Sequence, residues 1–150
     1  MYFPTLFIHS WLRWIFLIVA ILAIFKALMG WQNNKAFAKA DNALGGAFIG
    51  LMHLQLVIGL ILYFGLSPMG YALFGSEGLM KNSVMRFWAV EHISMMILAV
   101  VVAQVGRILS KKAPTDLLKH KRAFLYFTIS LVMVLSRIPW TESARLFRLP

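Results

Sequence analysis

The chain has 150 residues, of which 61% are hydrophobic and only 13% are charged, and its formal net charge is +10. Soluble domains are nearer half apolar and a quarter charged, so this composition excludes an ordinary water-soluble fold. The chain has no cysteine, which excludes disulfides, iron–sulfur clusters and a covalently attached c-type haem. A strongly basic soluble protein would suggest nucleic acid as partner, but here most basic residues flank apolar segments, where they indicate membrane topology instead.

Four apolar segments are each long enough to cross a hydrocarbon layer about 30 Å thick, which takes about 20 helical residues. The sequence predicts helices over about residues 5–29, 43–66, 84–109 and 116–138. Neighbouring helices joined by short connections run antiparallel. We therefore expect an all-α fold, a single membrane domain over residues 1–150 built as a four-transmembrane-helix up-down-up-down bundle.

Capping and breaking residues predict where each helix begins and ends. Proline is tolerated in a first turn, Ser, Thr, Asp and Asn cap N-termini, and glycine or proline ends a helix. Because nothing basic precedes the first span and Arg13 interrupts it early, we expect it to be retained rather than cleaved as a signal peptide. In chain order the predicted boundary residues are Pro4, Gly30, Asp41 or Asn42, Ser67-Pro68, Ser83, Leu109, Thr115 or Asp116, and Pro139-Trp140.

Lysine and arginine are divided unevenly between the two ends of these helices. The end that holds the loops over 31–41 and 110–116 carries nine of them: Lys26, Lys35, Lys39, Arg107, Lys111, Lys112, Lys119, Lys121 and Arg122. The other end carries six: Arg13, Lys81, Arg86, Arg137, Arg145 and Arg148. The positive-inside rule then predicts that the first end is cytoplasmic and that both termini are periplasmic in a bacterial inner membrane.

The chain has four histidines, one on each predicted helix: His9, His53, His92 and His120. Polar side chains are costly inside a bilayer, so those that occur there are candidates for function. From the helical rise, His9 and His92 lie roughly 8 and 14 Å below the outer ends of their helices. His53 and His120 lie roughly 17 and 8 Å from the inner ends of theirs.

This pattern predicts ligation of one or two haems b, with histidines as axial ligands of the iron. Helices 1 and 3 of such a bundle are diagonal, as are helices 2 and 4. The histidines of the first pair would hold an outer haem and those of the second pair an inner haem, so that electrons could cross the bilayer. Arg13 and Arg86 are placed to bind propionates at the outer face, and Lys119, Lys121 and Arg122 at the inner face.

Small residues share a helical face with two of these histidines. Gly46 and Gly50 lie on the face of His53, and Ala89 and Ala99 lie near that of His92. They would leave room for a macrocycle beside each ligand. The same residues are equally typical of close packing between membrane helices.

Other polar residues also have a second interpretation. His120 lies between Lys119 and Lys121, a run that is typical of any basic juxtamembrane surface. Adjacent helical residues point about 100° apart, so we expect Glu91 to pair with Arg13 or Arg86 rather than to share a site with the histidine that follows it. If the histidines bind haem, the methionines near them are expected to contact the haem or to serve as alternative axial ligands. These methionines are Met52, Met95 and Met96.

Several motifs together resemble a family of short bacterial four-helix membrane proteins usually labelled cytochrome B-like, and the similarity covers nearly the whole chain. The resemblance implies a role for His9, His53 and His92, whereas His120 is outside the pattern. By architecture alone, the arrangement is also similar to the four-helix core of the cytochrome b561 superfamily. The motifs are His9-Ser10-Trp11-Leu12-Arg13-Trp14, Met52-His53-Leu54-Gln55-Leu56, Arg86-Phe87-Trp88-Ala89-Val90-Glu91-His92 with Met95-Met96, and Ile138-Pro139-Trp140.

Three functions are compatible with these residues. The first is a b-type cytochrome that passes electrons between quinol, or another outer donor, and a partner. The alternative is a small non-catalytic subunit of a larger membrane complex, and a third is a proton- or metal-coupled transport element that uses Glu91 and the histidines. The expected partners are the lipid bilayer, quinone, other membrane subunits or a second copy of the chain.

Overall fold

The computed structural model describes residues 1–147, so Arg148 lies outside the described residues. The prediction of an all-α fold is confirmed, because the described part of the chain contains helices and no strand. Short π-helical turns follow α2 at Leu62–Leu66 and precede α4 at Phe87–Glu91, and a 3₁₀ turn covers Tyr71–Leu73. The α-helices are α1 (Tyr2–Gln32), α2 (Lys39–Ile61), α3 (Ser83–Arg86), α4 (His92–Lys111), α5 (Asp116–Leu135) and α6 (Ser143–Leu146).

Three helical stretches of the described chain are long and apolar enough to cross a membrane. They are Tyr2–Gln32, Lys39–Leu73 and Ser83–Lys111. They agree with the first three predicted spans. The helix predicted as a fourth span, α5, carries several charged residues in its first two turns and is not one of the three: Asp116, Lys119, Lys121 and Arg122.

The end of α1 and the N-terminal cap of α2, on either side of the first interhelical loop, differ from their predicted positions. The predicted stop at Gly30 is wrong, since α1 continues to Gln32. Gly30 serves instead as a contact, because a Cβ on it would overlap the ring of His120. The cap prediction for α2 is also wrong: Ala38 precedes the helix, and Asp41 accepts a 2.8 Å hydrogen bond from the Ala38 amide from inside the first turn.

Other helix boundaries lie close to their predicted positions. Ser67 is extended and ends the π-helical turn that follows α2, as expected of a residue before proline. Asn82, rather than Ser83, caps α3 by accepting hydrogen bonds from two amides of its first turn. Thr115 caps α5 as predicted, its hydroxyl accepting from the Leu118 amide at 3.3 Å. The end of α5 at Leu135 comes three residues before the predicted one at Ile138.

The four long helices contact one another in a closed order. Helix α1 packs against α2 and α5, and α4 packs against the same two helices. The first and third predicted helices therefore lie across from each other, with the second and fourth between them. This arrangement brings residues of α1 and α4 to the two sides of a common interior.

Small residues let these helices approach closely. The centre is filled by Phe48, which is 0% exposed and stacks on Phe127 with ring centroids 4.3 Å apart. The ring of Phe16 is tilted against that of Phe48, with centroids 5.4 Å apart. The buried small residues are Ser10, Ala20, Ala23, Ala27 and Gly30 of α1, and Ala99, Ala103, Gly106 and Ser110 of α4.

We expect Gly106→Ala to destabilise the protein and Gly50→Ala to leave it unchanged or slightly more stable. A Cβ on Gly106 would overlap the side chain of Tyr126, whereas nothing lies within 4 Å of one on Gly50. Overpacking costs about 1–3 kcal/mol, while replacing an unhindered helical glycine gains about 0.5–1 kcal/mol. Thermal unfolding followed by circular dichroism in detergent measures both, and equal effects of the two substitutions would contradict the close α4–α5 contact.

Candidate functional site

A cavity lies at the end of the helices that holds the N-terminus, and His9 of α1 and His92 of α4 both line it. We call it the histidine cavity. The space between its side chains, including its open mouth, is about 1030 Å³. Most of the lining is apolar, which is typical of cofactor and small-molecule sites. Apolar lining residues include Leu6, Phe16, Met52, Leu56, Met96 and Val100.

His92 follows directly on the π-helical turn Phe87–Glu91. Its Nδ1 lies 2.8 Å from the carbonyl oxygen of Arg137. Because a carbonyl only accepts, Nδ1 carries the proton, and the neutral ring then has its lone pair on Nε2. Histidines that bind metals are commonly oriented in this way, with the second nitrogen donating to a backbone carbonyl.

His9 is positioned by contacts with α2. Its backbone carbonyl accepts a 2.8 Å hydrogen bond from Nε2 of Gln55. One turn further along α2, a Cβ on Gly59 would come within 3.2 Å of Cε1 of His9. The absence of a side chain at Gly59 therefore makes room for the imidazole ring beside the cavity.

Three residues of the cavity wall carry a buried polar atom with no hydrogen-bond partner in the described chain. These atoms are His9 Nδ1, Arg13 Nε and Gln55 Oε1. An unsatisfied buried polar group costs about 1–3 kcal/mol, and buried polar groups in proteins are normally paired. Their concentration around one cavity fits a polar or ligating group bound there. Residues 1–147 contain no cluster of three or more His, Cys, Asp or Glu side chains that could hold a metal ion.

The arginine predicted at the outer face of α1 also lines this cavity. Arg13 is 8% exposed, and its Nη2 donates to the carbonyl oxygens of Arg145 and Leu146, both at 3.0 Å. The indole of Trp14 donates to the same Leu146 oxygen at 2.9 Å. These bonds hold α6 against the end of α1 that carries His9.

Arg86, the other predicted outer arginine, is not among the residues that line the cavity. Its Nε donates to Glu91 at 2.7 Å, and its Nη1 donates to the Met80 carbonyl at 2.8 Å. The predicted ion pair between Glu91 and an outer arginine is thereby confirmed for Arg86. Arg137 approaches the second oxygen of the Glu91 carboxylate at 3.8 Å.

The structure adds Arg145 to the site, a residue that the sequence analysis used only to predict membrane topology. Arg145 lines the histidine cavity, its guanidinium lies 4.2 Å from the centre of the Trp88 ring, and it pairs with Glu142 at 2.6 Å. It follows the last long helix, and only the return of α6 toward α1 brings it to the cavity. The sequence offered one indication of this position: Arg145 follows Ile138-Pro139-Trp140, and proline ends a helix, so that the chain can turn back toward α1.

The structure does not bring His53 and His120 together. His53 is exposed on the outer surface of α2, whereas His120 is 1% exposed and packs on Phe37 with ring centroids 5.0 Å apart. Met52 faces the core, and the next residue on a helix points about 100° away. The expected inner pair followed from depth along the helices, which does not specify rotation about the helix axis.

The residues predicted to hold inner propionates are engaged elsewhere. Lys119 pairs with Asp116 at 2.9 Å, Lys121 lies over the Trp31 ring at 5.4 Å, and Arg122 donates to the Leu109 carbonyl at 2.9 Å.

The small residues near His53 and His92 do not line the histidine cavity. Ala89 and Ala99 are buried in helix contacts, being 1% and 0% exposed. Gly46 and Gly50 are exposed on the outer surface of α2. Close packing between helices, rather than room for a macrocycle, therefore explains the two alanines.

Comparisons with protein-family models, with curated proteins and with solved structures find no match to this chain. The resemblance to the cytochrome B-like family therefore stays a prediction from sequence motifs. Since one fold serves many functions, a function must in any case be argued from the geometry and chemistry of the site.

We expect Arg13→Met to release the segment that contains α6. The substitution keeps an apolar stem but removes both hydrogen bonds to the Arg145 and Leu146 carbonyls. Hydrogen bonds from charged groups contribute about 1.5–3 kcal/mol, so amide hydrogen exchange over 143–147 should accelerate about tenfold or more. Arg86→Met is the matched control, because its partners are Glu91 and Met80. Unchanged exchange in Arg13→Met would show that α6 is held by other contacts.

Proposed function

We propose that this protein is a membrane b-type cytochrome that would hold one haem in the histidine cavity, with His9 and His92 as ligands of its iron. The proposal is carried by one observation: two histidines from helices on opposite sides of the interior line a single, mostly apolar cavity. A haem iron takes one or two axial ligands from the protein, so two histidines suffice. Bound haem would supply an iron that alternates between ferric and ferrous states and so carries one electron.

Each residue of the cavity has a defined part in this proposal. His92 is fixed in one tautomer by the Arg137 carbonyl, which also makes a ligating imidazole more basic. His9 has a buried Nδ1 without a partner and is given room by Gly59. The apolar lining keeps water away, and solvent exclusion is one of the means by which a protein sets a redox potential.

Two arginines supply positive charge for the haem carboxylates. Arg13 keeps an unpartnered Nε in the cavity wall, and Arg145 lines the same cavity. Arginine binds carboxylates through a planar set of donors and is always charged. We assign the propionate-binding role to Arg13 and Arg145 rather than to Arg86, because Arg86 does not line the cavity.

The proposal includes one haem and not two. A second bis-histidine site would need His53 and His120 to face a common space, but the first is exposed on α2 and the second is buried. Electrons would therefore enter and leave through a single centre near the end of the helices that holds the N-terminus. Partner proteins or a quinone at that end are the natural donors and acceptors for such a centre.

We further propose that α5 crosses the membrane as a fourth span, completing an up-down-up-down bundle with both termini on the periplasmic side. From Ala123 to Leu135 the helix is free of charged residues, and its charged first turns lie at the same end as the basic loops. Lysine and arginine near a helix end reach the headgroup region with their long side chains. The nine-to-six division of basic residues supports the orientation.

We expect purified protein loaded with haem to bind one haem per chain and to lose it in either His9→Ala or His92→Ala. Changing groups that only support a metal ligand already costs about 10–100-fold in affinity, so removing an axial ligand should cost at least about tenfold. The haem-to-protein ratio and the α-band of the reduced protein measure this.

His53→Ala is the matched control, since it removes a histidine of the same kind from the exposed face of α2. It should keep the haem content and the spectrum of the parent. Equal losses in the control and in the cavity variants, or a parent that stays colourless after haem loading, would contradict the assignment.

We expect the C-terminus to be periplasmic. A reporter enzyme that is active only in the periplasm should therefore be active when fused there, and one that is active only in the cytoplasm should be inactive. The reason is the bias of basic residues toward the loops over 31–41 and 110–116, which the positive-inside rule places in the cytoplasm. A fusion within the loop over 33–38 should show the opposite activity. A C-terminal reporter that is active in the cytoplasm would reverse the orientation or reduce the number of spans to three.

A further inference from the structure

A second pocket lies at the other end of the helices, near the loop between α1 and α2. We call it the basic pocket. It is lined by Lys26 of α1, Asp41 of α2, Arg107 of α4 and His120 of α5, with Phe37 of the loop beside them. All four long helices therefore contribute a polar side chain to one place.

His120 forms the buried part of this pocket. It is 1% exposed, and neither ring nitrogen has a hydrogen-bond partner in the part of the chain that the structure describes. Contact with Gly30 fixes the ring, because any side chain there would overlap it. An imidazole has at least one N–H to donate, and buried polar groups normally find a partner. The partner must then come from outside the described chain, and the narrow interior of the pocket has room for about one water molecule.

The charge of the pocket favours an anion. Asp41 is the one carboxylate among the lining residues, and both its oxygens are engaged, by Lys26 at 3.4 Å and by the Ala38 amide at 2.8 Å. Arg107 donates from Nη2 to the carbonyl and side-chain oxygens of Asn42, which are neutral acceptors. The pocket thus holds two permanent cations against one carboxylate, and Arg107 keeps further N–H groups for a ligand.

In a bilayer crossed by these helices, the pocket would lie at the level of the lipid headgroups. Lys26 is six residues from the end of α1 and Arg107 is four residues from the end of α4, which places them about 9 and 6 Å inside the helix ends. The side chain of Lys26 is 43% exposed, so the rim of the pocket is accessible from outside. Basic pockets between membrane helices at this level suit phosphorylated headgroups.

We propose that the basic pocket binds a single phosphate group at its open rim, with Arg107 and Lys26 pairing with its oxygens and a water molecule in the narrow interior linking it to the buried His120. The phosphate group is carried by an anionic phospholipid or by free phosphate, since the same donors recognise both. This site is separate from the histidine cavity and does not depend on haem. It would join α1, α2, α4 and α5 at the end where the basic loops lie.

The test uses the full-length protein, purified in detergent and stripped of lipid, with thermal unfolding as the readout. Phosphatidylglycerol is compared with an uncharged diacylglycerol, and sodium phosphate with sodium chloride at equal ionic strength. We expect phosphatidylglycerol or phosphate to raise Tm above its control. A rise with phosphatidylglycerol alone assigns the site to a lipid, whereas a rise with phosphate as well shows that the free anion suffices. No rise in either comparison would overturn the proposal.

Variants identify the pocket as the place of binding. Arg107→Gln and Lys26→Gln should each weaken the apparent affinity about tenfold, the loss expected for one charge-assisted hydrogen bond. Lys112→Gln is the matched control, because Lys112 is an exposed basic residue at the same end that does not line the pocket. If Arg107→Gln loses helicity, Lys26→Gln decides, since its side chain lies at the exposed rim. Equal weakening in Lys112→Gln would show general attraction to basic residues and would overturn the proposal.

Discussion

Helix α5 lies between a surface of small residues on α1 and another on α4, and the rest of the structure depends on this close packing. Apolar side chains gain little from leaving lipid for one another, so membrane helices associate through close packing and hydrogen bonds. Alanine and glycine on α1 and α4 allow that approach. Side-chain hydrogen bonds then tie α5 to α4: Ser130 donates to the Ala99 carbonyl, Ser110 to the Lys119 carbonyl and Arg122 to the Leu109 carbonyl, at 2.8, 2.8 and 2.9 Å.

The spacing that α5 sets between α1 and α4 also determines what can lie between His9 and His92. Near the middle, Phe16, Phe48 and Phe127 fill the interior. Toward the N-terminus the side chains leave the histidine cavity instead, and Arg13 holds α6 beside it through two backbone carbonyls. Several polar groups that the described chain leaves unsatisfied thus line the two pockets: His9, Arg13 and Gln55 the histidine cavity, and His120 the basic pocket.

The sequence predicts the all-α class, the first three spans and the approach of His9 and His92 to a common space, because apolar length and helix order determine all three. It does not predict the exposure of His53. In a membrane helix the core-facing and lipid-facing sides are both apolar, so the periodicity that reveals rotation in soluble helices is weak. Arg145 and Gly59 were missed for a related reason, since each reaches the cavity only through tertiary contacts.

Three phenylalanine rings in contact lie between the histidine cavity and the basic pocket. Phe16 lines the histidine cavity and Phe127 lines the basic pocket, while Phe48 between them is 0% exposed. Aromatic rings of this kind offer no donors or acceptors along which a proton could hop. In the proposed cytochrome, a proton that balances an electron in the histidine cavity would then come from the same end of the helices. Electron transfer in the proposed cytochrome would thus not be coupled to proton movement along the interior of this chain.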